Sequence, residues 1–558
     1  MERTNYIPYI YLFLILAVYF FGLNVPLFDD DSAHHALIGM HMYLTGNYVD
    51  LIDRGRDYLD KPHLLFWLAA LGDELLGVGT LSYKLPTLLL ALPGVYATFR
   101  LAKRLYGQSV GINAVLILIS SQAYILAHND VRMDAILLSF IITATWLLYE
   151  YTLTYRTDRL ILGVLSLALA FATKGMTGAA VPVIAVGSQL LYQRNWRFIR
   201  SFKWLWAIPL FLVFIGPILY CYYLQFDLHP EKVIRGMSHI SGITFILFFQ
   251  NTERLQGVNW GSSGGNDPFL FFHSLLWALL PWCLLGYWAV VKKGIHLIKT
   301  KLVYRPGEEI LSWVTIVVMF AILTSSNFRL PHYLNILFPF FSILIAGQLE
   351  NVLKSSVSGT GERNWLMITQ KFVAVVMALL GLIINGYLFP VKSLVVIVLS
   401  LAALFLLFYE WTSRRDFLGK LVMISFCSSL FTNMLMNGNF YFQIQEYQAG
   451  HHIAAKIRQL EIPLNNIYIT DWKSPSMHYY SEYFFKDSDP VTLAGSNDFW
   501  LAGSMASIDE VARARQMKMK ESYHFPDFDT TKLKAGFVDP STREQACRDI
   551  GLVHLKKE

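Results

Sequence analysis

About thirteen separate apolar stretches, each long enough to cross a bilayer, run through the chain, and they constrain its fold more than any other feature. Roughly 20 apolar residues in helix span the hydrocarbon layer. A helix suits that layer because it satisfies its own backbone hydrogen bonds where no water reaches. The predicted spans are 7 to 27, 81 to 100, 109 to 127, 134 to 153, 159 to 173, 178 to 192, 204 to 224, 269 to 291, 309 to 327, 331 to 349, 372 to 389, 391 to 411 and 419 to 436. Composition agrees, with 54% apolar residues, only 15% charged residues and a mean hydropathy of +0.42. A soluble globule carries about 25% charge. With 39 Phe, 30 Tyr and 14 Trp, aromatic rings are abundant enough to line both interfaces.

Length alone would allow about three or four soluble domains. Hydropathy instead predicts one membrane domain over residues 1–436, including long outer loops at 28–80 and 225–268, and a polar tail over 437–558. The first stretch lacks a small-residue cleavage pattern and runs straight into Phe28-Asp29-Asp30-Asp31, so it reads as a retained signal anchor. The net charge of +6 sits in short loops, where it sets membrane orientation and does not point to nucleic acid. Three of the four cysteines, Cys221, Cys283 and Cys427, fall in or beside apolar spans and Cys547 stands alone in the tail, which predicts no disulfide framework.

Placing the N-terminus in the cytoplasm makes every second loop cytoplasmic, and those loops hold the basic clusters, for example Arg194, Arg197, Arg200 and Lys203, or Lys292, Lys293, Lys299, Lys301 and Arg305. An odd number of crossings then puts the tail on the outer, periplasmic side. Its pattern, with Ile467-Tyr468-Ile469-Thr470, His478-Tyr479-Tyr480 and the charged stretch Asp509 to Lys520, predicts a small mixed α/β domain.

The outer side carries the candidate chemistry. Asp29-Asp30-Asp31 follows the first span directly, and three adjacent acids repel until a cation, a metal or a proton neutralises one. Taken alone the triplet suits a solvated cap on the next helix better, and the neighbouring motifs shift that balance. Asp60-Lys61-Pro62 precedes an apolar, aromatic helix suited to the headgroup layer, where Lys61 would meet lipid phosphates or simply snorkel. Arg132-Met133-Asp134 sits at the outer end of a span, either as a functional group or as a structural ion pair. Lys174 in the next outer turn reads as an ordinary helix C-terminal cation. The loop after the seventh span carries Arg235, Glu253, Arg254 and Gly261-Ser262-Ser263-Gly264-Gly265, which suits a cover over a bound lipid or a passive linker. Phe328-Arg329-Leu330-Pro331-His332-Tyr333 places an arginine in a short outer turn against the positive-inside trend, as an anionic headgroup would require.

In combination these elements resemble the polytopic glycosyltransferases of the class-C fold, in particular bacterial relatives of the protein O-mannosyltransferases and of the lipid A aminoarabinose transferase. Four motifs match in order over residues 7 to 350: the acids after the first span with Met42 and Gly46, Asp60-Lys61-Pro62, Asp134, and Arg329-Leu330-Pro331-His332-Tyr333. The resemblance implies an α-helical polytopic membrane protein of about thirteen transmembrane helices with an outer C-terminal domain, in the bacterial inner membrane. It also implies inverting transfer of a sugar from a polyprenyl-phosphate donor to lipid A, another envelope glycan or a protein. By position, Asp31 with neighbouring Asp30 is the expected general base and Asp134 its assistant. Lys61, Arg329, Arg254 and Arg132 are the expected phosphate ligands. Asp60 stands where relatives place an acid that helps bind a divalent metal. Relatives that bind metal also add a histidine before the eighth span, whereas this chain has Gly264-Gly265-Asn266-Asp267 there, so Asp267 or another ligand would have to serve.

These residue types fit such a reaction. A lipid-phosphate leaving group needs charge stabilisation more than protonation, and fixed cations supply it. An acceptor hydroxyl needs a base, which typically contributes about 10²- to 10⁴-fold. No nucleotide-binding glycine motif follows a strand, as expected if no nucleotide is used. Two other classes compete. A secondary transporter would carry ionisable groups in mid-span, whereas here they lie at span ends, and a membrane scaffold leaves the ordered acid and base motifs unexplained.

Overall fold

The structure, a computed structural model, describes residues 7–234, 236–256, 267–354, 360–489, 492–493 and 496–557, apart from the side chains of 251, 254 and 255. Among the described residues eight helices are long and apolar enough to cross a membrane: Ile7–Asn24, Thr80–Tyr106, Met133–Thr154, Lys203–Asp227, Pro331–Lys354, Thr360–Leu388, Leu394–Thr412 and Phe417–Gln445. A ninth is a broken pair, Gln108–Ile119 and Gln122–Asn129, bent by 56°. Its break falls at Ser120 and Ser121, whose hydroxyls donate to the carbonyls of Leu116 and Ile117 at 2.5 and 2.7 Å and so compete with the helical ladder.

The remaining predicted stretches also fall on helices, but shorter or more polar ones. Met176–Tyr192 and Leu311–Ser325 are short, and Cys283–Lys299 carries Lys292, Lys293 and Lys299. Thr157–Lys174 carries Asp158, Arg159 and Lys174. The count of about thirteen spans is thus not reached on length and apolarity, since the sequence pattern marks apolar segments whether or not each is long enough to span alone.

Burial sorts the helices into centre and periphery. Pro331–Lys354 and Phe417–Gln445 are 83% buried and Met133–Thr154 is 78% buried, while Lys203–Asp227 is only 17% buried. The outer helices turn leucine, valine and phenylalanine side chains outward, as expected where lipid is the solvent.

The loop 28–80 is itself folded. Helix Asp31–Thr45 starts with an acid in its first turn, where the helix dipole favours it, and ends at Gly46 with φ 68°, whose N–H closes on the carbonyl of Met42. A short hairpin pairs Ile52–Asp53 with Arg56–Asp57. Helix Leu64–Leu76 then crosses the first so closely that a Cβ on Gly39 would meet that of Ala69. Leu71, Leu75 and Leu76 stay exposed, giving this helix the apolar outer edge expected of an element in the headgroup layer.

Beyond Gln445 the tail forms a five-stranded sheet in the order Lys486–Asp487, Ile467–Ile469, Asp498–Ser504, Arg548–Lys556, Lys518–Asp527. The first three strands run parallel and the last two pair antiparallel. Helices Ala449–Gln459 and Met505–Ala514 pack on it, so the tail holds both helix and sheet.

Candidate active site

The loop 28–80 brings its acids to one end of the central helices, where a cavity of about 130 Å³ opens. Asp31, Asp60, Lys61, Arg132, Asp134 and Lys174 all line it, together with His34, His35, Tyr58, His332 and Tyr333. Residues separated by up to three hundred positions thus meet in one small polar chamber at the edge of an apolar bundle.

Arg132 organises one wall. Its Nη1 lies 3.1 Å from Asp31 Oδ2, its Nη2 3.2 Å from Asp30 Oδ2 and its Nε 2.9 Å from Asp130 Oδ2. Burial pushes the Asp31 carboxyl up, but the charges of His35, Arg132, His332 and Lys61 outweigh it and hold the group below the usual carboxylate range. For Asp30 burial wins over the pull of Arg132, and its carboxyl is raised. The two neighbours are therefore driven apart, with Asp31 the firmly ionised one. The remaining acid of the triplet turns away from the chamber: Asp29 Oδ1 accepts from the Ser476 N–H of the tail at 2.8 Å.

The opposite wall is built on Asp134, in the first turn of Met133–Thr154. Its Oδ1 accepts from Lys174 Nζ at 2.6 Å, and its Oδ2 lies 3.6 Å from His332 Nε2. Lys174 Nζ also stands 4.1 Å from the centre of the Tyr333 ring, a cation–π contact in a nearly dry setting.

The structure brings Asp31, Asp134, Lys61 and Asp60 together, as their motifs lead one to expect, and engages the other candidates differently. Arg132, expected at the donor phosphate, spans three carboxylates instead. Arg329 lies just outside the lining, with Nε donating to the Ser326 carbonyl at 2.6 Å and Nη1 to the Asp267 carbonyl at 2.7 Å, while Phe328, Leu330, His332 and Tyr333 around it face the chamber. The Arg254 side chain, Arg235, and Gly261 to Asn266 lie outside the described residues. Helix Gln250–Gln256, which carries Arg254, is held close, because Gln250 Nε2 donates to the Asp60 carbonyl at 2.5 Å.

Sequence reasoning undervalued Lys174, read as an ordinary helix end, and passed over His34, His35 and Tyr58. A lysine at the end of an apolar span was the available signal for the first. The fit to a divalent metal is poor: among the described residues no three His, Cys, Asp or Glu side chains are grouped to hold one. Asp267 is instead bonded to His273, its Oδ2 lying 2.5 Å from Nε2.

Residues 60–221 match the family described as dolichyl-phosphate-mannose-protein mannosyltransferase. An undecaprenyl phosphate-alpha-4-amino-4-deoxy-L-arabinose arabinosyl transferase of Edwardsiella ictaluri is 25% identical over 350 residues, covering 61% of this chain and 59% of that protein. An uncharacterized protein of Aquifex aeolicus is 24% identical over 267 residues, covering 48% of this chain and 52% of its own length. The chain thus spans between 52% and 59% of these relatives. The crystal structure of ArnT from Cupriavidus metallidurans bound to undecaprenyl phosphate superposes with a TM-score of 0.73 at 17% identity, over 99% of this chain and 98% of that one. Its apo form gives 0.71.

The fold is shared with ArnT from Cupriavidus metallidurans, a multi-pass membrane architecture. Over part of its length the chain is also similar to a lipid-linked aminoarabinose transferase and to the protein mannosyltransferase family.

Proposed function

We propose that this protein transfers a sugar from a polyprenyl-phosphate donor to a cell-envelope acceptor at the outer face of the bacterial inner membrane, with inversion and with Asp31 as general base. The observation that carries this reading is the convergence of Asp31, Asp134, Lys61 and Lys174 on one chamber at one end of the central helices. The relationship to lipid-linked sugar transferases, one of them solved with undecaprenyl phosphate, supports the donor class.

In this reading Asp31 takes the proton of the acceptor hydroxyl as that oxygen attacks the anomeric carbon, and the bond to the donor phosphate breaks on the opposite side. Arg132 keeps Asp31 ionised and aimed. Lys61 meets the leaving phosphate, with Arg329 as a further cation at the rim and Arg254 as the third expected phosphate ligand, and Asp134 is held by Lys174 and His332 so that it orients the acceptor. Fixed charges of this kind stabilise the developing phosphate without reorganising during the reaction. No step runs through a metal.

Mass spectrometry of envelope lipids, glycans and glycoproteins from cells lacking the protein tests the reading. A sugar unit should be missing from one component, restored by the wild-type gene and not by Asp31→Asn. Unchanged envelope chemistry would remove the function, and restoration by Asp31→Asn would remove the base.

A further inference from the structure

At the opposite end of the same helices lies a second cleft, of about 380 Å³, and its lining is almost entirely apolar. Leu148, Pro182, Gly187, Leu190, Phe198 and Trp204 define it. It sits near the last turns of Met133–Thr154 and Met176–Tyr192, whereas Asp134 and the polar chamber sit at the first turn of the former. A Cβ placed on Gly187 meets nothing within 4 Å, so the missing side chain helps keep the cleft open.

The rim has the opposite chemistry. Between Tyr192 and Ala207 the chain forms helix Trp196–Arg200 and the turn Lys203–Trp206, and there Arg194, Arg197, Arg200 and Lys203 are all exposed. Among the described residues none of the four is ion-paired, and Lys203 Nζ stands 4.8 Å from the centre of the Tyr155 ring. Trp196, Trp204 and Trp206 are also exposed, as rings at a membrane interface are. An apolar cleft beside cations without acidic partners complements an amphiphile with a negative head. By the positive-inside rule this end faces the cytoplasmic leaflet, where anionic lipids concentrate.

We propose that the cleft is a binding site for an anionic glycerophospholipid of that leaflet, one acyl chain lying over Gly187 and the phosphate gripped by Arg197, Arg200 and Lys203. Native mass spectrometry of the full-length protein, delipidated in detergent and titrated with phosphatidylglycerol or phosphatidylcholine of identical chains, tests it. Phosphatidylglycerol should be retained at least about fivefold more strongly, the contribution of one basic side chain near an anionic leaflet. The triple variant Arg197→Gln, Arg200→Gln, Lys203→Gln should bring the two lipids to parity. Gly187→Phe should weaken phosphatidylglycerol while leaving thermal unfolding unchanged, because the new ring enters open space on a helix. Equal retention by the wild type, a preference that survives the charge removal, or full binding by Gly187→Phe each overturns the proposal. Displacement of phosphatidylglycerol by undecaprenyl phosphate, lost in Gly187→Phe, would assign the cleft to the donor chain and overturn it as well.

Discussion

Arg132 and Lys174 decide the charge state of the proposed site at the level of single side chains. Arg132 is among the charges that hold the Asp31 carboxyl below its ordinary range against burial. Removing it as Arg132→Gln lets that pKa rise, so the protonated, inactive form persists to higher pH. The acid limb of the kcat/KM profile should therefore move upward in pH, and an unmoved limb would show that Arg132 does not tune the base. Lys174 neutralises Asp134, with side-chain exposures of only 8% and 3% for the pair. Lys174→Met leaves a buried carboxylate uncompensated and should cost about 3–5 kcal/mol in thermal unfolding. The double change Asp134→Asn, Lys174→Met should recover most of that stability without recovering transfer. Asp60-Lys61-Pro62 and Asp134 were legible as chemistry because an ionisable group beside an apolar span needs a reason to be there. The partners of Asp134 were not, since the Lys174 contact joins residues 40 apart whose meeting depends on how two helices pack.

Among the elements, the loop 28–80 matters most, because it carries Asp31 and Lys61 into the chamber. Its hairpin is fastened by a side chain near the end of helix Lys203–Asp227. Gln225 Oε1 accepts from the Leu51 N–H at 3.0 Å, while its Nε2 donates to the Leu51 carbonyl and to Asp57 Oδ1, each at 2.9 Å. Gln225→Leu strands the buried Leu51 N–H, at about 1–3 kcal/mol, while the Leu51 carbonyl keeps the Tyr58 N–H at 2.8 Å. Hydrogen exchange across residues 48 to 58 should quicken and transfer should fall, while the spans stay protected; unchanged exchange would show that Gln225 does not hold the loop. Hydropathy marked where this loop begins and ends. Its internal helices were only partly legible, because Asp31–Thr45 mixes His34, His35 and His41 with apolar residues and gives no clean amphipathic stripe. Helix Leu64–Leu76, apolar and aromatic after Pro62, was the readable one.

At the scale of the whole molecule, the tail docks on the membrane domain through several hydrogen bonds, two of them to buried acids. Asp29 accepts from the Ser476 N–H, and Asp73 Oδ1 accepts from the Tyr479 hydroxyl at 2.9 Å and the Ser82 hydroxyl at 2.7 Å. Burial pushes Asp29 up to about 6 and Asp73 up to about 7, in both cases against their hydrogen bonds. A carboxyl with a raised native pKa binds its proton more tightly when docked than when free. These two groups therefore favour docking most fully at low pH, and the contribution falls as pH rises from about 4 to about 7. Hydrogen exchange of residues 474 to 480 should slow between pH 7 and pH 5 after correction for intrinsic rates, and the Asp29→Asn, Asp73→Asn variant should lose that dependence. These contacts were invisible in sequence, since Ser476 lies 447 positions from Asp29. The layout of apolar bundle and polar tail was plain from hydropathy, and the number of true spans was not, because charges at 158, 159 and 174 and short helices blur the pattern.

In the proposed reaction Asp31 activates the acceptor and Lys61 holds the donor phosphate within one chamber. Donor affinity and transfer rate, measured side by side on purified protein with a polyprenyl-phosphate sugar, test it most directly. Asp31→Asn should bind donor as the wild type does and lose about 10²- to 10⁴-fold in transfer, while Lys61→Ala should lose donor affinity. Equal donor affinity in all three proteins, or full transfer by Asp31→Asn, would contradict it.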